Sequence, residues 1–131
     1  MSVFGGYATG RVVDAAEKFI GKMDEGDLAS AIDEGEPRMT AQGRALLVKA
    51  IFDSFRARGE SSEDAVEGAG TTLEALSAGE TNAMRALLHY ARANTGLLKE
   101  AAIALIEREP AAFSELSPRI AGGIAQRLAQ P

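Results

Sequence analysis

Apolar residues recur along this chain at three- and four-residue steps, and glycine or proline interrupts the rhythm at short intervals. That period belongs to amphipathic helices, each turning one face inward at 3.6 residues per turn. Val12, Val13, Ala16, Phe19, Ile20 and Met23 trace a first helix, with Thr9 as its predicted N-cap and Gly26 as its stop. Leu28 and Ile32, four apart, predict a short helix over Asp27 to Glu34, broken by Gly35-Glu36-Pro37. The broad stripe Leu47, Val48, Ile51, Phe52 and Phe55 predicts a longer one from Thr40 to Arg58, ended by Gly59.

Ser61 and Ser62 precede Glu63 and Asp64, which places acidic side chains in a first turn, where the helix dipole favours them. The helix they open carries Val66, Ala69, Leu73 and Leu76 and is weakened by Gly68 and Gly70. After Gly79, Thr81 is the predicted cap of a helix turning Met84, Leu87, Leu88 and Ala91 inward, and Asn94-Thr95-Gly96 is a turn. Leu98, Ala102, Leu105 and Ile106 line the next helix, which ends before Pro110. Pro110 to Leu116 buries Phe113 and Leu116, and Ser117-Pro118 opens a last helix with Ile120, Ile124 and Leu128 inward and Gly122-Gly123 inside it.

The pattern therefore predicts an all-α fold: a compact bundle or orthogonal array of about six to eight short amphipathic helices, with no alternating strand. Residues 1–10, aperiodic and punctuated by glycine, are expected to form a flexible arm before a single helical domain over 11–131. Thr40 to Leu47 and Thr81 to Leu88 share Thr, Arg, Ala, Leu and Leu at an offset of 41. That offset is in the range of helical repeats, but the match fades after Ala91 and is easily generated in an Ala- and Leu-rich chain.

Composition supports the helical reading. The 131 residues are 46% hydrophobic and only 5% aromatic, so small aliphatic side chains must fill the core. Alanine, present 25 times, has the highest helix propensity because it loses no side-chain entropy. The net charge of −5 argues against nucleic acid as the partner. It is unevenly spread: residues 1–80 carry 15 acidic and 8 basic side chains (−7), and residues 81–131 carry 4 and 6 (+2). Such halves suit pairing within one molecule or between two copies.

The chain has no cysteine, which removes disulfides, thiolate metal sites and cysteine nucleophiles and fits a reducing compartment. Its first residues lack the basic and apolar regions of a signal peptide, and no apolar run is long enough for a bilayer. The expectation is cytoplasmic, with no membrane partner. Ten Arg against four Lys, with abundant Ala and Gly, points by codon usage to a GC-rich bacterial genome.

Candidate chemistry is sparse. Gly5 to Val12 shares the glycine spacing of a phosphate-binding loop, but Arg11 stands for Lys, Val12 for Ser or Thr, and no strand precedes it. Asp24, Glu25, Asp27, Asp33, Glu34 and Glu36 offer oxygens to a hard cation, yet lack the spacing of a calcium loop and read as a solvated acidic edge rather than a metal site. The stretch Glu60 to Glu80, free of Lys and Arg, reads as another solvated face.

His89 is the single histidine, flanked on one side of its helix by Arg85 at i−4 and Arg92 at i+3. These three can grip a carboxylate or phosphate, or pair with the acidic half of the chain. His89 is also the sole candidate haem ligand, with nothing else in support, so no cofactor is expected. One His, two Tyr and no Cys leave carboxylates, Lys and Ser for catalysis.

These features favour a non-catalytic helical protein-interaction module, in the manner of an adaptor, regulator or immunity/antitoxin-like protein, with a protein partner or a second copy of itself. The alternatives are a small-molecule or anion-binding helical sensor using Arg85, His89 and Arg92, and a small enzyme using clustered carboxylates.

Overall fold

A computed structural model of the chain describes Phe4 and residues 6–130. Among the described residues there are nine α-helices, one 3-10 turn and no strand. In chain order they are α1 (Thr9–Gly21), α2 (Glu25–Gly35), the turn Glu36–Arg38, α3 (Ala41–Ala57), α4 (Ser62–Ala69), α5 (Leu73–Ser77), α6 (Thr81–Arg92), α7 (Leu97–Arg108), α8 (Pro110–Leu116) and α9 (Pro118–Ala129). None is long and apolar enough to cross a membrane.

The helix starts follow short-range chemistry. Asp24 accepts hydrogen bonds from the N–H groups of Gly26 (3.0 Å) and Asp27 (3.3 Å), so α2 begins two residues before the expected Asp27 and Gly26 lies inside it, not at the end of α1. Thr40 caps α3, Ser61 caps α4 and Ser117 caps α9 through their hydroxyl oxygens. Two predicted caps are displaced. Ala8 stands at the N-cap of α1 and Glu80 at that of α6, neither with a side-chain cap, and Thr9 and Thr81 are the first helical residues.

The helix expected across Val66 to Leu76 is two. Gly70 ends α4 in the left-handed conformation (φ 80°), and the Thr72 hydroxyl starts α5 by accepting from Ala75 N–H. In the expected N-terminal arm, Phe4 is buried in the core and Thr9 and Gly10 belong to α1. Arg11 of the candidate phosphate loop stacks over Tyr7, 5.1 Å from its ring centre. Residues 1–3 and Gly5 lie outside the described residues.

The core gathers around α7. It packs against α1, α2, α3, α6 and α8, and its Leu97, Leu98, Ala101, Ala102, Leu105 and Ile106 are all buried. Each large aliphatic side chain so buried contributes about 1.5–3 kcal/mol. The helices around it approach closely where glycine leaves room. Gly35, at the end of α2, faces the Leu116 carbonyl at the end of α8, and Gly123 of α9 seats the Phe19 ring of α1.

Candidate functional site

Opposite sides of α6 do different work. On one side Tyr90 stacks against Phe55 of α3, with ring centres 5.4 Å apart and planes 22° apart. Its hydroxyl donates to Glu60 at 2.6 Å, and its ring fills the space beside Gly68 of α4, where an added Cβ would lie 2.6 Å from the ring. The hydrogen bond to Glu60, burial, and the charges of Glu60 and Asp64 together raise the Tyr90 pKa above its usual 10.0. Tyr90 therefore fixes the rotation of α6 about its axis.

That rotation sets the other side. Leu87, Leu88 and Ala91 are buried, while Arg85, His89 and Arg92 stand exposed at i, i+4 and i+7, a row about 10 Å long at 1.5 Å per residue. All three border a cavity of about 390 Å³ between α6 and α2. Its opposite wall is α2 and the following turn, lined by the exposed Asp33 and the buried Glu36; Ala29, Ile32, Leu88 and Leu98 complete the lining. Arg92 extends to the first turn of α2, where its Nη2 is 3.5 Å from the place a Cβ would take on Gly26.

The two carboxylates differ. Asp33 is exposed. Glu36 is only 4% exposed, and its Oε1 lies 3.1 Å from Nε of Arg44 on α3. The same Nε donates to the Glu36 carbonyl at 3.2 Å, and Nη2 donates to the Pro37 carbonyl at 2.9 Å. Glu36 is thereby neutralised from behind, through α3. Among the described residues no carboxylate lies within 4.0 Å of Arg85 or Arg92. The cavity thus presents two unpaired guanidinium groups and an imidazole against one free carboxylate, beside four apolar residues. In such a setting a hydrogen-bonded anion gains more than it does in open water.

Of the acidic run predicted as a solvated edge, Asp24, Asp27, Asp33 and Glu34 are exposed, Glu25 is half-buried and Glu36 is buried. Asp24 caps α2, and Glu25 accepts the Gly96 N–H at the turn before α7. Among the described residues no three His, Asp or Glu side chains gather closely enough to hold a metal ion.

The positive stripe was readable from spacing alone. Its partner wall was not, although Leu28 and Ile32 already turned this face of α2 inward. Two ion pairs join the halves of the chain elsewhere: Arg108 of α7 meets Asp53 of α3 at 2.6 Å, basic second half to acidic first, whereas Arg58, just past α3, meets Glu100 of α7 at 2.8 Å in the opposite sense. Comparison of the chain with protein-family models, curated proteins and solved structures returned no match.

Proposed function

We propose that this chain is a non-catalytic helical binding protein that captures a small organic anion in the groove between α2 and α6. One observation carries the reading: Arg85, His89 and Arg92 border a 390 Å³ cavity, and neither arginine has an ion-pair partner among the described residues. The volume falls at the small end of ligand pockets, and the lining is more polar than most, with Asp33, Glu36, Arg85, His89 and Arg92 against four apolar residues. The ligand has a carboxylate or phosphate for the guanidinium groups and a short apolar body for Ile32, Leu88 and Leu98. The lining carries no hydroxyl or thiol nucleophile, which favours binding over covalent catalysis.

Inorganic phosphate and benzoate are the first probes, read by thermal shift and calorimetry. A binding anion at about one hundred times its Kd stabilises the fold by about 2.7 kcal/mol. Arg85→Ala and Arg92→Ala are each expected to weaken binding at least tenfold, and added salt to weaken it further. Neither probe raising the melting temperature, or both variants binding like the parent, refutes the reading.

An interaction module is the second reading, favoured by a different observation. Glu63, Asp64, Glu67, Glu74 and Glu80 on the α4–α5 edge make no ion pair among the described residues. A basic partner segment fits that edge, and a second copy offers the mildly basic half of the chain. A strict monomer in light scattering that retains no partner in pulldowns refutes it. The absence of cysteine and the 10:4 ratio of Arg to Lys support a bacterial cytoplasmic setting.

A further inference from the structure

Between α4 and α6 the chain makes a detour. It leaves α4 through Gly70 (φ 80°) and enters α6 past Gly79 (φ 75°), so two left-handed glycines frame residues 71–78. Both have open space around them. The single-turn helix α5 between them has no buried residue and packs on α6. Its two leucines, Leu73 and Leu76, are nonetheless turned inward and half-buried. They face Val48 and Phe52 of α3, also half-buried, across a cavity of about 310 Å³ that also reaches Met84.

We infer that this cavity is a second ligand site, for a neutral apolar small molecule, with α5 as its lid. The occupant's charge follows from the polar groups around the walls. Arg44 borders the cavity, but its Nε and Nη2 are taken by Glu36 and by two backbone carbonyls. The buried Glu36 and Arg44 cancel each other. The remaining charge is Glu80, exposed on the rim, which repels an anion. A neutral ligand loses no ion hydration on entry, and it covers four apolar side chains that water now reaches. The glycine at each end of residues 71–78 turns the chain so that α5 lies over the cavity. This site shares Glu36 with the α2–α6 groove, but its argument stands apart from the anion reading.

The test uses N-phenyl-1-naphthylamine, a neutral fluorescent apolar probe, beside its sulfonated counterpart, 1-anilinonaphthalene-8-sulfonate. The neutral probe is expected to bind saturably at one site per chain and, in the Arg85→Ala/Arg92→Ala double variant, at least tenfold more tightly than the sulfonate. Val48→Trp, which fills the cavity, lowers that affinity at least tenfold. If Val48→Trp loses the parent's helical circular dichroism, Ala45→Trp decides instead, because Ala45 is exposed on the rim. The Arg85→Ala/Arg92→Ala double variant leaves binding of the neutral probe unchanged. Uptake without saturation, equal affinity for both probes in the double variant, or parent-like binding by the tryptophan variant overturns the inference. So does loss of binding in the double variant, which reassigns the probe to the other groove.

Discussion

Alanine at Gly35 and alanine at Gly122 are the same chemical change in two helices, and the packing gives them opposite signs. Gly35 has φ −83° and ψ −31°, a conformation alanine adopts freely, so backbone strain plays no part. The obstacle is α8. A Cβ on residue 35 would overlap the Leu116 carbonyl oxygen and sit 2.8 Å from the carbonyl carbon. Carbon–carbon contacts are comfortable at about 3.5–4.0 Å and the overlap with the oxygen is tighter still, so the ends of α2 and α8 must part by roughly 1.5 Å. Because the obstructing atoms are backbone, no change of rotamer relieves the contact.

Overpacking of this kind costs about 1–3 kcal/mol and sometimes more. Against it stands a helix-propensity gain of about 1 kcal/mol, realised only partly at the last residue of a helix. The expected net loss for Gly35→Ala is about 2 kcal/mol. A Cβ on Gly122, within α9, meets nothing within 4 Å, so Gly122→Ala keeps a gain of up to about 1 kcal/mol. For a chain of this size each kcal/mol moves Tm by about 4 °C. Gly35→Ala should therefore melt about 8 °C below the parent and Gly122→Ala up to about 4 °C above it. Thermal melts and urea titrations followed by circular dichroism give both values. If Gly35→Ala is as stable as the parent, or Gly122→Ala loses as much as Gly35→Ala, the packing argument is wrong.

Further outcomes are open to measurement. Asp24→Ala removes the acceptor of two N–H groups at the start of α2 and should cost about 1 kcal/mol in urea titrations. Burial raises the Asp53 pKa, but hydrogen bonds from Arg108 and Arg56 and their charges outweigh it and leave the pKa below 3.8. A lowered folded-state pKa means stability that is present above the unfolded value and lost as pH falls through the folded one. Asp53→Asn should therefore lower stability at neutral pH and flatten its fall below pH 3.8. The raised Tyr90 pKa has the opposite sign: its contribution is complete below pH 10.0 and lost as pH rises further. Ultraviolet titration should show a phenolate forming above pH 10.0 that Tyr90→Phe removes.

What the sequence disclosed was mostly what lies within one turn of helix. Ser117 is the cap its pairing with Pro118 implied, and Thr40 and Ser61, read only as helix starts, cap in the same way: each hydroxyl serves an N–H three residues on, a contact that needs no tertiary structure. The row Arg85, His89, Arg92 was equally legible, since i, i+4 and i+7 share a face in any α-helix. Glu36 was not. Within an acidic run it reads as solvated, and its burial depends on Gly35 seating against Leu116, 81 positions away, and on Arg44 reaching back from α3. The glycines divided for the same reason: Gly70 ends a helix by a local rule, whereas Gly68 and Gly123 make room for Tyr90 and Phe19 from distant parts of the chain. Arg44 and Arg85, matched at the 41-residue offset, border the cavities on either side of Glu36, a juxtaposition that spacing alone does not specify.

The central position of α7 has a consequence for how this protein is made. Translation delivers α1 to α6 before residue 97 exists, and four of those helices, α1, α2, α3 and α6, pack against a partner that arrives late. The inward faces of those four helices therefore lack part of their final cover while α7 is still inside the ribosome. Release of Leu97–Arg108 then supplies cover to α1, α2, α3 and α6 together.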